Sequence, residues 1–242
     1  MDRNTAGTDR VVAVDHCRLV RRAEPWAFPG QHGPAIDAHW QRRTEESPSF
    51  YNGTVHLLSR YDVSDGVLNG TIFPVEFKNF LFWRESGTTD AAVRDAFGSA
   101  LIRTADGDII LGRQRPGNVN SGLAYVPGGF IDARDIGVDG AVDIEASILR
   151  EVEEETGFGA DHWHHAPGFR VTFQGQHISI ARELCSPLAT DAFLAEVRSR
   201  LAADPSSELE DVVAIRSVND MDRYNLPPFV HLLLRDVLGV HG

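Results

Sequence analysis

Cysteine is nearly missing from the 242 residues: Cys17 and Cys185 stand far apart and form no Cys-x-x-Cys pair. That scarcity excludes a disulfide-stapled scaffold and leaves two readings, one long-range bridge or two buried free thiols in a reducing compartment. The second reading goes with a cytoplasmic protein. Positive charge is scarce as well: 23 lysines and arginines face 35 aspartates and glutamates, for a net charge of -12 and a pI near 5.2. Binding along a nucleic acid calls for the opposite sign, so no nucleic-acid partner is expected. Small phosphates remain open to a protein that recruits a metal ion or a local arginine cluster. No uninterrupted apolar run approaches the roughly 20 residues that span a bilayer. The opening MDRNTAGTDR has no apolar segment of the signal-peptide kind. Neither a membrane partner nor export is therefore expected. Repeats and low-complexity tracts are absent too. What is left, 42% apolar and 24% charged residues, is the composition of a globular protein of one large or two small domains.

The chain changes texture near residue 90. Residues 21 to 53 concentrate proline and tryptophan (Pro25, Trp26, Pro29, Pro34, Trp40, Pro48) and read as loops with one short helix over Ala35 to Arg43. Two strand-like stretches follow, Thr54 to Tyr61 and Pro74 to Trp83, separated by the turn-rich VSDGVLNG. SGTTDA, residues 86 to 91, is the candidate boundary between a β-rich N-terminal domain (1–90) and a second domain (91–242).

From Val93 strands and helices alternate. AFGSALIRT and DIILGRQR flank the hairpin turn Ala105-Asp106-Gly107, and LAYVPGGF reads as a strand ending in a glycine turn. Ile144 to Thr156 reads as a helix stopped by Gly157. RVTFQGQHISIARELC alternates as one or two strands. Thr190 is placed as the cap of a helix to about Ala203, EDVVAIRSV is a strand, and Asn225 with Pro227 opens a last helix to about Leu238. This order predicts a mixed sheet with helices packed on it.

Within LREVEEETGF, four glutamates crowd the end of the predicted helix: Glu151, Glu153, Glu154 and Glu155. At about 100° per residue, Glu151, Glu154 and Glu155 fall within an arc of about 100°, while Glu153 points roughly the other way. The arc overlaps the edge of the apolar stripe Ile144, Ile148, Leu149 and Val152 instead of lying opposite it. On the helix alone, an acidic face turned to water accounts for three glutamates in a row. Carboxylates converging at i, i+3 and i+4 repel, and a hard divalent cation such as Mg²⁺ or Mn²⁺ turns that repulsion into coordination.

REVEEETGF also matches every specified position of the second half of the Nudix box, through Arg150, Glu151, Val152, Glu154, Glu155, Gly157 and Phe158. YVPGGFID resembles the strand-to-turn entry of the same family, with Gly129 as the leading glycine. The resemblance covers roughly residues 93 to 242 and implies an α/β/α sandwich with a mixed sheet. Twenty residues (130 to 149) stand between Gly129 and Arg150 where the family pattern has thirteen, so the loop before the helix is enlarged. Asp135 takes the place of the pattern's first glutamate. The resemblance implies hydrolysis of a nucleoside diphosphate linked to another group. It assigns Glu151, Glu154 and Glu155 as ligands of Mg²⁺ or Mn²⁺, one of them also serving as base for water. Arg150 would orient the glutamates, and a backbone carbonyl of the Gly128-Gly129 turn, Gly128 in the first instance, would complete the coordination.

Arg113 and Arg115, on one face of the strand leading to the site, are candidates to grip a diphosphate or else a pair of exposed edge arginines. Asn118, Asn120 and Tyr125 are candidate substrate contacts. His162, His164 and His165 lack zinc-site spacing and read as an exposed loop. Glu208 and Glu210 are either further site carboxylates or an acidic loop before a strand. HWQRRTEESPSFYNGTVHLL and FKNFLFWRE resemble, more loosely, the N-terminal segment of the branch that cleaves UDP-glucose and UDP-galactose. That points to a nucleotide sugar as substrate, with ADP-ribose, coenzyme A or a non-catalytic nucleotide-binding domain as alternatives. The front half would then shape the pocket, or else stabilise or dimerise the protein.

Overall fold

The computed structural model describes residues 9–117 and 120–239. The first half runs β1 (Arg10–Val14), β2 (His16–Arg21), α1 (Phe28–Glu46), β3 (Thr54–Ser64), β4 (Val67–Glu76) and α2 (Phe77–Glu85). The second runs β5 (Asp95–Arg103), β6 (Ile109–Gln114), β7 (Ala124–Tyr125), β8 (Gly128–Phe130), α3 (Ile144–Thr156), β9 (His164–His165), β10 (Phe169–Gln174) and β11 (His177–Cys185). It closes with α4 (Thr190–Ala203), β12 (Leu209–Ile215), α5 (Val218–Met221) and α6 (Pro228–Val237).

A nine-stranded mixed sheet has the order β1-β10-β11-β5-β6-β12, with β7 on β6, β8 on β5 and β9 on β11; β2, β4 and β3 form a separate three-stranded sheet. Alternation along β5 sorts its side chains to two faces. Ala96, Ala100 and Ile102 join the core with Ile144, Ile148 and Val152 of α3 and Phe193 and Val197 of α4. Leu101 joins Val230, Leu233 and Leu234 of α6, with Phe97 packed against them. The result is the α/β/α layering expected of the sequence, preceded by the N-terminal strands. Gly98 sets how close α3 can lie, since a Cβ there would sit 2.8 Å from Ile148 Cγ1. A third cluster gathers Phe28, Ile36, Leu57, Phe73, Phe80 and Trp83 from the first half, with Phe130 of β8 against it.

Several expectations needed correction. The short helix over Ala35 to Arg43 is the 19-residue α1, which carries Pro34 inside it. Burial of Phe28, Ile36 and His39 holds together turns that proline and glycine content had suggested were loop. Pro74 to Trp83 is not one strand: β4 ends at Glu76, and Phe77, Phe80 and Leu81 then repeat at helical spacing in α2. In VSDGVLNG only Asp65 and Gly66, both at positive φ, make the turn, and Val67 to Gly70 is strand. The Gly128-Gly129 pair is the start of strand β8 and not a turn. Thr190 does not cap α4 with its side chain; its hydroxyl meets Asp108 and Thr104. The histidine loop is a short 3₁₀ turn, Ala160–His162, followed by β9 on the sheet. Cys17 and Cys185 are free and half-buried, and burial pushes the Cys17 thiol up to about 12. β1 belongs to the large sheet through its antiparallel pairing with β10, and Leu58 of β3 bridges to Arg94 just before β5.

Candidate active site

Helix α3 begins with the Asp143 side chain accepting the Ala146 N–H at 2.9 Å and ends at Gly157 in the left-handed conformation, with φ 75°. Between those stops, Ile144, Ile148 and Val152 face the sheet and carry Glu155 with them: Glu155 is 8% exposed. Its two oxygens accept from neutral donors only, the Gly128 N–H at 3.1 Å and the Gln114 amide at 3.3 Å. Glu151 lies half-buried one turn earlier, against the Cα of Gly129, where a Cβ would come within 2.2 Å of its carboxylate. Glycine at 129 is therefore required by the close approach of the helix side chain to β8. Gly128 is equally constrained from the other side, since its Cβ would meet the Gly98 carbonyl at 2.2 Å. Glu154 and Glu153 are exposed.

Charge in this cluster is poorly compensated. Burial raises the pKa of Glu155 well above the ordinary glutamate value, and the neighbouring charges of Glu151 and Glu208 raise it further. Burial also raises Glu151, against the pull of Arg150. Glu208, still reached by solvent, is raised by partial desolvation and by Glu154. Four carboxylates thus feel one another across the mouth of β8. Arg150 is the resident cation: it donates to Asp135 at 2.9 Å and to Glu151 at 2.5 Å, and its Nη1 lies 3.6 Å from Glu154. Asp135, buried, also takes the Asp132 N–H at 2.8 Å, so the enlarged loop fixes Arg150, and Arg150 fixes Glu151. Beside them the buried His56 bonds the Ile131 carbonyl through Nδ1 at 2.8 Å, and burial keeps its pKa low.

A match to the NUDIX domain spans residues 92–234 and contains the carboxylates, Arg150, Gln114 and β8, though not His56. The chain belongs to the NUDIX family. It is accordingly a phosphoanhydride-hydrolysing enzyme acting on small nucleotide substrates, in a family that generally uses divalent metals. Solved structures of similar fold include a Nudix hydrolase from M. smegmatis (15% identity, 62% of this chain and 88% of that one, TM-score 0.40). A MutT protein from Methanosarcina mazei Go1 is another (19%, 60% and 91%, 0.37). A bifunctional NMN adenylyltransferase/ADP ribose pyrophosphatase from Francisella tularensis is a third (17%, 66% and 46%, 0.42). No curated protein shows significant sequence similarity to the chain.

The donor set of this Nudix site suits a hard cation: oxygen ligands, one of them on a buried carboxylate bound only by neutral groups. Among the described residues no three His, Cys, Asp or Glu side chains converge into a ready cage, because Arg150 occupies the ground between Glu151 and Glu154. The other predicted residues are placed as follows. Tyr125 and Asn120 come together at the site, the Asn120 amide donating to the Tyr125 hydroxyl at 3.3 Å. Burial, then Glu155, raises the Tyr125 pKa. Arg113 pairs with Glu210 at 2.7 Å and more loosely with Asp211, and Arg115 donates to the Ser207 and Leu209 carbonyls. Either arginine would have to break those contacts to grip a diphosphate. Asn118 lies outside the described residues. His162 stacks on Phe158 and bonds Ser186, and His165 pairs with Glu145.

Two participants went unread in the sequence. Gln114 sits between the two arginines, and strand alternation turns it to the opposite, buried side. Arg84 of α2 donates to Asn120 Oδ1 at 2.6 Å, a contact across 36 residues that no local pattern announces. No helix among the described residues is long and apolar enough to cross a membrane.

Proposed function

We propose that the protein hydrolyses a nucleoside diphosphate sugar to a nucleoside monophosphate and a sugar 1-phosphate, using Mg²⁺ or Mn²⁺ held by Glu151, Glu154 and Glu155. One observation carries the metal reading: Glu155 is a buried carboxylate, bound by neutral donors and flanked by Glu151 and Glu208. Such a cluster is unfavourable without a cation and suited to one. When bound, the metal neutralises phosphoryl oxygens and acidifies a water molecule. The chain's own groups do the rest. The Asp135–Arg150 pair holds Glu151 in place, the Gly128 N–H and Gln114 hold Glu155, and Gly129 lets the Glu151 carboxylate lie against β8. Glu151, with its raised pKa, accepts the proton of the attacking water. The Gly128 carbonyl adds a further oxygen ligand. The sugar part of the proposal rests on the likeness of residues 39–58 and 77–85 to the UDP-sugar-cleaving branch. In this reading the residues before SGTTDA shape the substrate pocket, while β1 and Leu58 tie them to the large sheet and its core.

The test is turnover against a panel of nucleotide sugars, dinucleotides, coenzyme A and nucleoside triphosphates with Mg²⁺ or Mn²⁺, with products identified. Release of nucleoside monophosphate and sugar 1-phosphate supports the proposal. Turnover confined to triphosphates, or to ADP-ribose, removes the nucleotide-sugar assignment.

A further inference from the structure

A diphosphate carries negative charge into a cluster of carboxylates, so besides the metal it needs a fixed cation on its outer side. The arginines nearest the carboxylates are already committed. Arg150 is shared between Asp135 and Glu151, Arg134 is paired with Asp132, Arg113 with Glu210, and Arg115 is tied to backbone carbonyls. Arg84 differs. It is half-buried in the last turn of α2, forms no ion pair among the described residues, and donates to the neutral Asn120 Oδ1 at 2.6 Å. Asn120 in turn donates to Tyr125, which feels the charges of Glu155 and Glu208. The same guanidinium is felt at Tyr125, Asp95 and His177. Asp95 is 4% exposed, burial raises its pKa, and it forms no hydrogen bond or ion pair with Arg84 among the described residues, so it takes none of the guanidinium's donors.

We propose that Arg84, with Asn120 and Tyr125 beside it, binds a phosphate group of the substrate, so that the first half of the chain supplies the anion anchor and the second half the carboxylates. The proposal rests on the diphosphatase reading above. The planar fork, steadied at one nitrogen by Asn120, leaves its other donors for two phosphate oxygens. A helix C-terminus tolerates this cation well, which is why the anchor costs little before substrate arrives.

The test is binding of inorganic pyrophosphate to the full chain by calorimetry, with Mg²⁺ present and then absent, at one ionic strength. Arg84→Gln is expected to weaken binding about tenfold to a hundredfold, the loss of one charge-assisted contact. KM for the best substrate of the panel should rise by a similar factor with kcat within a few-fold. Arg84→Lys keeps the charge and loses the fork, and should fall between. Arg42→Gln, on the exposed face of α1 and bonded only to the Ala38 carbonyl, removes the same charge and should bind as the wild type does. Unchanged affinity in Arg84→Gln, or equal weakening in Arg42→Gln, overturns the proposal. If Arg84→Gln does not fold, Arg84→Lys decides: unchanged affinity overturns the anchor and weakened affinity supports it. Wild type that binds pyrophosphate through Arg84 yet cleaves no nucleotide sugar removes the substrate assignment and keeps the anchor. Cleavage with a KM indifferent to Arg84 does the reverse.

Discussion

The aromatic cluster of the first half and the carboxylate cluster around β8 are neighbours built on opposite terms. In the first, Phe28, Phe73, Phe80 and Trp83 are almost wholly buried, and even the Trp83 indole N–H finds the Asp90 carbonyl at 3.1 Å. In the second, carboxylates are pushed together around Arg150, with Arg134 3.8 Å from Glu154 at the rim. The first region gains by being as it is; the second is held in place by its surroundings. Phe130 joins them, with its ring 5.1 Å from Phe80 and its backbone continuing from Gly128 and Gly129. Relaxed packing on one side thus carries the strain of repulsion on the other.

The largest expected break in this contrast is chemical. Glu155→Gln or Glu154→Gln keeps shape and helix propensity, and turnover should fall by about two orders of magnitude or more as a ligand charge is lost. The metal-free fold should at the same time become slightly more stable, because an i, i+3 or i, i+4 repulsion is relieved. Steady-state kinetics and thermal melts of the same samples check both, and equal activity of Glu153→Gln and Glu155→Gln would sink the site. Next comes packing. Trp83→Ala should cost about 3–5 kcal/mol by denaturant titration and leave kcat of the folded fraction near wild type. Phe80→Ala, which removes the ring against Phe130, should lose both stability and kcat. If Phe80→Ala retains full kcat, the two regions are uncoupled.

Gly129→Ala tests the join directly. The added methyl would lie 2.2 Å from the Glu151 carboxylate and displace it from β8, so kcat should fall by about a hundredfold with the thermal midpoint little changed. The pH dependence is milder. Glu155, Glu151 and Glu208 have folded pKa values raised above the unfolded one, so their stabilising contribution is complete below pH 4.5 and fades as pH rises through the folded values. Metal-free protein should therefore lose stability from pH 4.5 upward, Glu155→Gln should flatten the slope, and saturating Mg²⁺ should reverse it. The smallest effect belongs to Glu153→Gln: the side chain is exposed on the far face of α3, and turnover should stay nearly unchanged.

How much of this could be read beforehand divides along the same line. The helix of the box, its glycine stop and the burial of Glu155 follow from local periodicity, because Ile144, Ile148 and Val152 dictate which azimuths face the sheet. Asp135, in the place of the pattern's first glutamate, is the buried partner of Arg150, which only the folded path of the enlarged loop brings within 2.9 Å. Glu208 and Glu210 were indistinguishable as text. A bulge between Leu209 and Asp211 shifts the register there, and Glu208 is felt by the carboxylates while Glu210 binds Arg113. The front half was read least well, since aromatic residues such as Phe77, Phe80 and Trp83 fit strand and helix alike until their partners are known.

The pairing of β1 with β10 sets an order of events. Arg10 to Val14 line up with Phe169 to Phe173, so β1 has no partner in the large sheet until some 160 residues later in synthesis. Until then the edge it will cover does not exist, and the intervening chain must collapse around a core it cannot yet close. Synthesis rate, more than equilibrium stability, then governs how long β1 stands unpaired and exposed to other copies. Expression at lower temperature, or a chain permuted so that β1 follows β10, acts on this interval alone.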